Sequence, residues 1–115
     1  MTRLLLLFAV TFLCVGCGAL GGSSSCDFRN GSVNGSEPRC QERVGTLTAE
    51  AFKGTCKVAG GVSADGQCPR TGSAGGCFLG AQGDGSKVND WYYSPMTSDE
   101  VKAQCAKDNT SFLSP

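Results

Sequence analysis

Six cysteines, Cys26, Cys40, Cys56, Cys68, Cys77 and Cys105, constrain this chain more than any other feature. They follow an apolar run, Leu4 to Val15, that is headed by Arg3 and closed by Gly16. A basic start, an apolar stretch and a small residue at the cut make an export signal. An exported chain meets an oxidising compartment, so an even set of six implies three disulfides. Cys14 and Cys17 complete the eight cysteines of the chain, but they fall in and beside the signal. Their Cys-x-x-Cys spacing mimics a redox or zinc motif and carries no such meaning in an apolar signal segment. Among the other six, no two lie two to four residues apart, as paired zinc ligands usually do.

The end of the signal, Val15-Gly16-Cys17, resembles the bacterial lipoprotein signal. That resemblance implies cleavage after Gly16, a palmitate-bearing lipid on Cys17, and a mature chain held to a membrane by its first residue. Gly18 stands where an Asp would resemble the inner-membrane retention signal, which points to the outer membrane of the cell envelope. An ordinary secretory cut after Ala19 is the alternative and would release a soluble domain. A membrane-spanning helix needs ~20 apolar residues, and the run gives way to Gly-rich sequence before that.

Residues 1–16 are thus read as the signal, 17–25 as the lipidated cysteine with a Gly/Ser tether, and 26–115 as one small domain. The ten basic and ten acidic residues balance, which argues against a nucleic-acid binder, whose surface needs a basic surplus.

Two stretches of the domain match. Leu47 to Cys56, LTAEAFKGTC, aligns with Met96 to Cys105, MTSDEVKAQC. Both read as helix starts: Thr48 and Thr97 are N-caps, and Leu47 with Phe52, like Met96 with Val101, forms a hydrophobic staple. Thr97 and Glu100 add a capping box, and Gly60 and Asn109 are helix stops. Upstream of each helix come a cysteine, a Gly/Asn turn region and an extended stretch: Cys26 to Phe28, Asn30 to Gly35 and Cys40 to Val44, then Cys77 to Leu79, Gly80 to Gly85 and Lys87 to Tyr93. Asn-Gly and Asp-Gly steps favour hairpin turns, and Trp91-Tyr92-Tyr93 favours a strand. The expected fold is α+β: a small disulfide-stapled domain of two strand-turn-strand-helix pseudo-repeats. The segment between them, Gly60 to Gly76, reads as a loop pinned by Cys68.

Six cysteines allow 15 pairings, and the repeat selects one. Equivalent positions making equivalent bonds gives Cys26–Cys56 and Cys77–Cys105, each clipping a first strand to its helix. Cys40–Cys68 then remains, tying the second strand to the central loop.

Cys77-Phe78, Trp91-Tyr92-Tyr93, Val101-Lys102 and Cys105, together with the signal, resemble the short cysteine-rich envelope lipoproteins of myxobacterium-like deltaproteobacteria. The resemblance implies location and architecture and no particular chemistry.

The chain has no histidine. Ser-His-Asp and Cys-His nucleophilic sites are therefore excluded, along with most catalytic zinc sites. Asp84-Gly85-Ser86 with Asn89-Asp90 lacks the ligand spacing of a calcium loop and reads as a hairpin turn. Asp99 and Glu100 suit a helix N-terminus rather than an acid pair. Neither a metal nor a cofactor is expected. Trp91 and Tyr93 share one face of a strand and read as core beneath a helix; Tyr92 faces the other way. Tyr92, with Trp91 beside it, is the candidate surface for a protein or glycan partner. The function expected is a non-catalytic, lipid-anchored envelope protein with a structural or interaction role. The alternative is a secreted binding module, such as a hydrolase inhibitor that inserts the Gly60–Gly76 loop into its partner.

Overall fold

A computed structural model describes residues 22–30, 37–46 and 49–115. The signal, Cys17, residues 18–21, most of the first turn, Leu47 and Thr48 lie outside the described residues.

Six antiparallel strands form one sheet in the order β3-β1-β2-β5-β4-β6. The strands are β1 (Gly22–Asp27), β2 (Arg39–Thr46), β3 (Val62–Asp65), β4 (Ser73–Ala81), β5 (Lys87–Tyr93) and β6 (Ser111–Leu113). Helix α1 (Ala49–Val58) follows β2, and α2 (Ser98–Lys107) follows β5. The domain is a small disulfide-stapled α+β fold, with bonds Cys26–Cys56, Cys40–Cys68 and Cys77–Cys105. These are the three expected pairs, two from matching sequence positions and Cys40–Cys68 as the remainder.

Register explains which side each residue serves. Cys26 lies opposite Gln41, Gln41 opposite Asp90, and Asp90 opposite Cys77. Cross-strand partners point to one side of a sheet and successive residues alternate, so this row faces the helices, to which both cysteines are bonded. The rows either side of it, including Cys40 opposite Trp91 and Glu42 opposite Asn89, face away.

Local chemistry accounts for the second half of the chain closely. Thr97 accepts from the Glu100 amide, and the Glu100 side chain accepts from the Thr97 amide, closing the capping box. Met96 packs against the buried cluster that Val101 and Cys105 of α2 form with Cys77. Asn109 takes a positive φ of 55° just past the helix, as a stop requires.

Two expectations need correction. Gly22 to Ser25 are not tether but the first four residues of β1, paired to β2 on one side, and from Ser24 onward to β3 on the other. Serine has no preference for strands; here it is accepted because Ser24 and Ser25 are buried and small enough to lie under flanking layers. The central segment is also more ordered than a plain loop, since β3 and the start of β4 fall within it. β3 and β6 had no signal because each is short and lies on a sheet edge, with β3 exposed at every residue.

Candidate functional site

The outward side of the sheet is closed by residues 66–72, and one buried carboxylate holds them there. Glu42 is wholly buried. Its Oε1 accepts from Trp91 Nε1 at 2.5 Å, Arg70 Nη2 at 2.8 Å and Asn89 Nδ2 at 3.1 Å. Its Oε2 accepts from the Cys68 amide at 2.9 Å. Burial pushes the Glu42 carboxyl up, but the bonds from Arg70, Trp91, Asn89 and Cys68 outweigh it and leave the group below its ordinary range. The Arg70 guanidinium also stands over the Trp91 ring, its Cζ 3.7 Å from the centroid, and Tyr93 donates from its hydroxyl to the Pro69 carbonyl at 2.6 Å.

This arrangement corrects the reading of the aromatic run. Trp91 and Tyr93 are core, each 4 % exposed, yet they pack under the Cys68 loop and not under a helix. Their cluster is Cys40, Cys68, Trp91 and Tyr93. Trp91 is therefore not part of a binding surface. Tyr92 does point the other way, but it is half-buried against the α2 cluster. The sequence alternation was right, and the layer assigned to each side was reversed. Beside the loop a cleft of about 250 Å³ opens over Ser25, Cys40, Val62, Ala64, Gln67 and Pro69.

The helix side differs. Helix α1 packs mainly over β1 and β3 with a lighter contact to β2, and α2 over β4 and β6, so the central strands run mostly between the two helices. Their side chains there are Arg39, Gln41 and Arg43 from β2 and Val88, Asp90 and Tyr92 from β5. Asp90 Oδ1 accepts from Gln41 Nε2 at 3.0 Å and from Arg39 Nη1 at 3.3 Å. Burial raises its pKa, against the opposing pull of Arg39 and Gln41. Arg43 donates to Ser86 Oγ at 3.0 Å, and Arg39 stacks on Phe28 at 4.5 Å. The result is a partly exposed polar strip with two guanidinium groups, an amide and a phenol, suited to binding a polar chain or glycan through several hydrogen bonds.

Sequence reasoning missed Glu42, Arg70 and this strip. A signal was present: in Arg39 to Val44, Glu42 alternates in phase with Cys40, which places a carboxylate on a buried face, and Arg39, Gln41 and Arg43 share the other. The Asp84–Ser86 segment is a turn between β4 and β5, with Ser86 N donating to Asp84 Oδ1 at 3.0 Å and Gly85 at a φ of 82°. Among the described residues, no group of three or more His, Cys, Asp or Glu is gathered as a metal site would need.

A scan of family models and searches of curated proteins and of solved structures found no match to this chain.

Proposed function

We propose that this is a non-catalytic, lipid-anchored envelope protein of the cysteine-rich lipoprotein type, attached at Cys17, with a structural or interaction role. One observation carries the reading. A domain held by three disulfides, with its first described strand starting at Gly22, follows a Val15-Gly16-Cys17 lipoprotein-like signal. Three bridges in so small a domain suit an oxidising compartment outside the cytoplasm. The binding surface we assign is the strip of Arg39, Gln41, Arg43 and Tyr92 between the helices, facing a protein or glycan partner.

The inhibitor alternative finds less support. Cys68 and Arg70, which would lead an inserting loop, turn inward to Glu42, so the segment lies along the sheet.

We further propose that the two halves are copies of one unit. The strand order reads symmetrically from the β2–β5 centre outward, and the two strand-to-helix disulfides occupy matching places.

Metabolic labelling with a clickable palmitate tests the anchor. The wild-type chain incorporates label, and Cys17→Ser abolishes it. Label that survives Cys17→Ser, or a wild-type chain that takes none, refutes the proposal.

A further inference from the structure

We infer that the end of the sheet at which β1 begins lies against the headgroup layer of the membrane that holds Cys17, an orientation that rests on the anchoring proposed above. Four residues, Gly18 to Gly21, separate Cys17 from β1. An extended chain advances no more than about 3.6 Å per residue, so Gly22 stays within about 18 Å of the lipidated residue.

That reach cannot grow by unpeeling the strand. β1 is an interior strand, paired to β2 and to β3, and Cys26 bonds it to α1. The Ser23 carbonyl also accepts from the Gly66 amide at 2.8 Å. Freeing the first residues of β1 would break two ladders to lengthen one tether.

The register then states what faces the lipid. Gly22 lies opposite Thr46, Ser24 opposite Asp65, Val44 opposite Lys87, and Lys87 opposite Ala81. The Gln82–Ser86 turn, the end of β3 and the end of β2 therefore share the membrane-facing end. Asp27, Arg39, Ser73 and Tyr93 mark the other end, about one strand length further out, roughly 20 Å for six residues. The strip between the helices runs along β2 and β5, so it stands upright from the membrane and opens sideways.

Charge does not select this end. Lys53 pairs with Glu50 and Asp65, and Arg43 with Asp84; with the exposed Lys87 the basic groups at this end only balance those three acids, leaving no surplus for anionic lipid. The short span from Cys17 sets the orientation, and a zwitterionic, hydrogen-bonding headgroup layer of no net charge such as phosphatidylethanolamine suffices.

The test uses the full lipidated chain, ¹⁵N-labelled, in nanodiscs of phosphatidylethanolamine and phosphatidylcholine doped with a gadolinium-chelating headgroup lipid. Relaxation enhancement at the amides of Gln82 to Lys87 and Gly66 is expected to exceed that at Asp27 to Arg29 and Tyr93 by about tenfold or more, since the effect falls with the sixth power of a distance that differs by a strand length. The gradient persists at raised salt. Inserting about ten Gly/Ser residues before Gly22 flattens it, because the reach of a flexible linker then exceeds the strand length. A flat or reversed gradient, one lost in salt, or one unchanged by the insertion overturns the orientation while the anchor stands. Mass spectrometry of the same sample separates the two failures, since an unmodified Cys17 overturns the anchoring and this inference with it.

Discussion

Replacing Glu42 with Gln should cost more stability than any other isosteric change in this domain. The substitution keeps the shape and one oxygen. That oxygen can still serve Trp91, Asn89 and Arg70, but the new amide nitrogen then faces the Cys68 N–H, donor against donor. A buried amide stripped of its acceptor costs about 1–3 kcal/mol. Arg70 loses its counter-charge as well; breaking a fully buried pair costs about 3–5 kcal/mol, and much less applies here because the Arg70 side chain is 38 % exposed and can turn to water. A total of about 2–4 kcal/mol follows, or a fall in Tm of roughly 10–25 °C for a domain of this size. Thermal unfolding of the oxidised protein at neutral pH measures it. The pH dependence adds a second check. Glu42 titrates below its ordinary 4.5 in the folded protein, so its stabilisation is complete above that value and is lost as pH falls through the folded pKa. The gap between wild type and Glu42→Gln should therefore close on acidification. A gap under about 0.5 kcal/mol at neutral pH, or one that widens in acid, refutes the argument.

Asp90→Asn should have the opposite character: burial raises the Asp90 pKa, so its charged form lowers stability as pH rises through that pKa. The Asn variant is expected to unfold no earlier than wild type at neutral pH, with the difference vanishing in acid; a loss above about 1 kcal/mol at neutral pH would count against it. Ser24 Oγ is buried without a hydrogen-bond partner among the described residues, so Ser24→Ala should leave the denaturant midpoint unchanged or raise stability by up to about 1 kcal/mol, and a clear fall would show an unrecognised bond. Gly76→Ala should destabilise by about 1–3 kcal/mol or prevent folding, because its Cβ would stand 2.6 Å from the Asp90 carbonyl oxygen and 2.9 Å from the Trp91 ring; wild-type behaviour in guanidinium would disprove that contact.

What could be read from the chain was what is encoded locally. The Thr97–Glu100 capping box lies within one turn, and residue types alone specify it. Pairing of the cysteines was legible for a different reason: residues 47–56 and 96–105 match in sequence, so one expected bond implied its counterpart. The sheet edges were not legible, because β3 and β6 owe their conformation to neighbours far along the chain and carry little pattern of their own. β1 is the plainest case. Gly-Ser-Ser-Ser has the composition of a linker, and it becomes a strand because β2 and β3 supply its hydrogen bonds and Cys26 fixes its end. The same reason hid the layer that covers Trp91. Alternation along β5 shows that Trp91 and Tyr92 part company, but it cannot say which side receives the helix and which the loop.

The distribution of the buried residues explains why the two sides of the sheet differ. Among the described residues, the buried apolar set consists of six half-cystines with Trp91, Tyr93 and Val101, so sulfur bridges stand where a larger domain would place leucines. Each bridge attaches one cover: α1 to β1, α2 to β4, and the Cys68 loop to β2. The two helices are therefore fixed over β1 and β4, the strands flanking the central pair. The central pair is joined instead by its backbone ladder, by Asn89 on Glu42, and by Gln41 and Arg39 on Asp90. Substitutions in the strip that spare those bonds leave every bridge intact. Arg43 and Tyr92, which carry none of those bonds, can change to suit a partner while the fold beneath stays closed, which is why the proposed interaction role is placed on this side and not on the aromatic core.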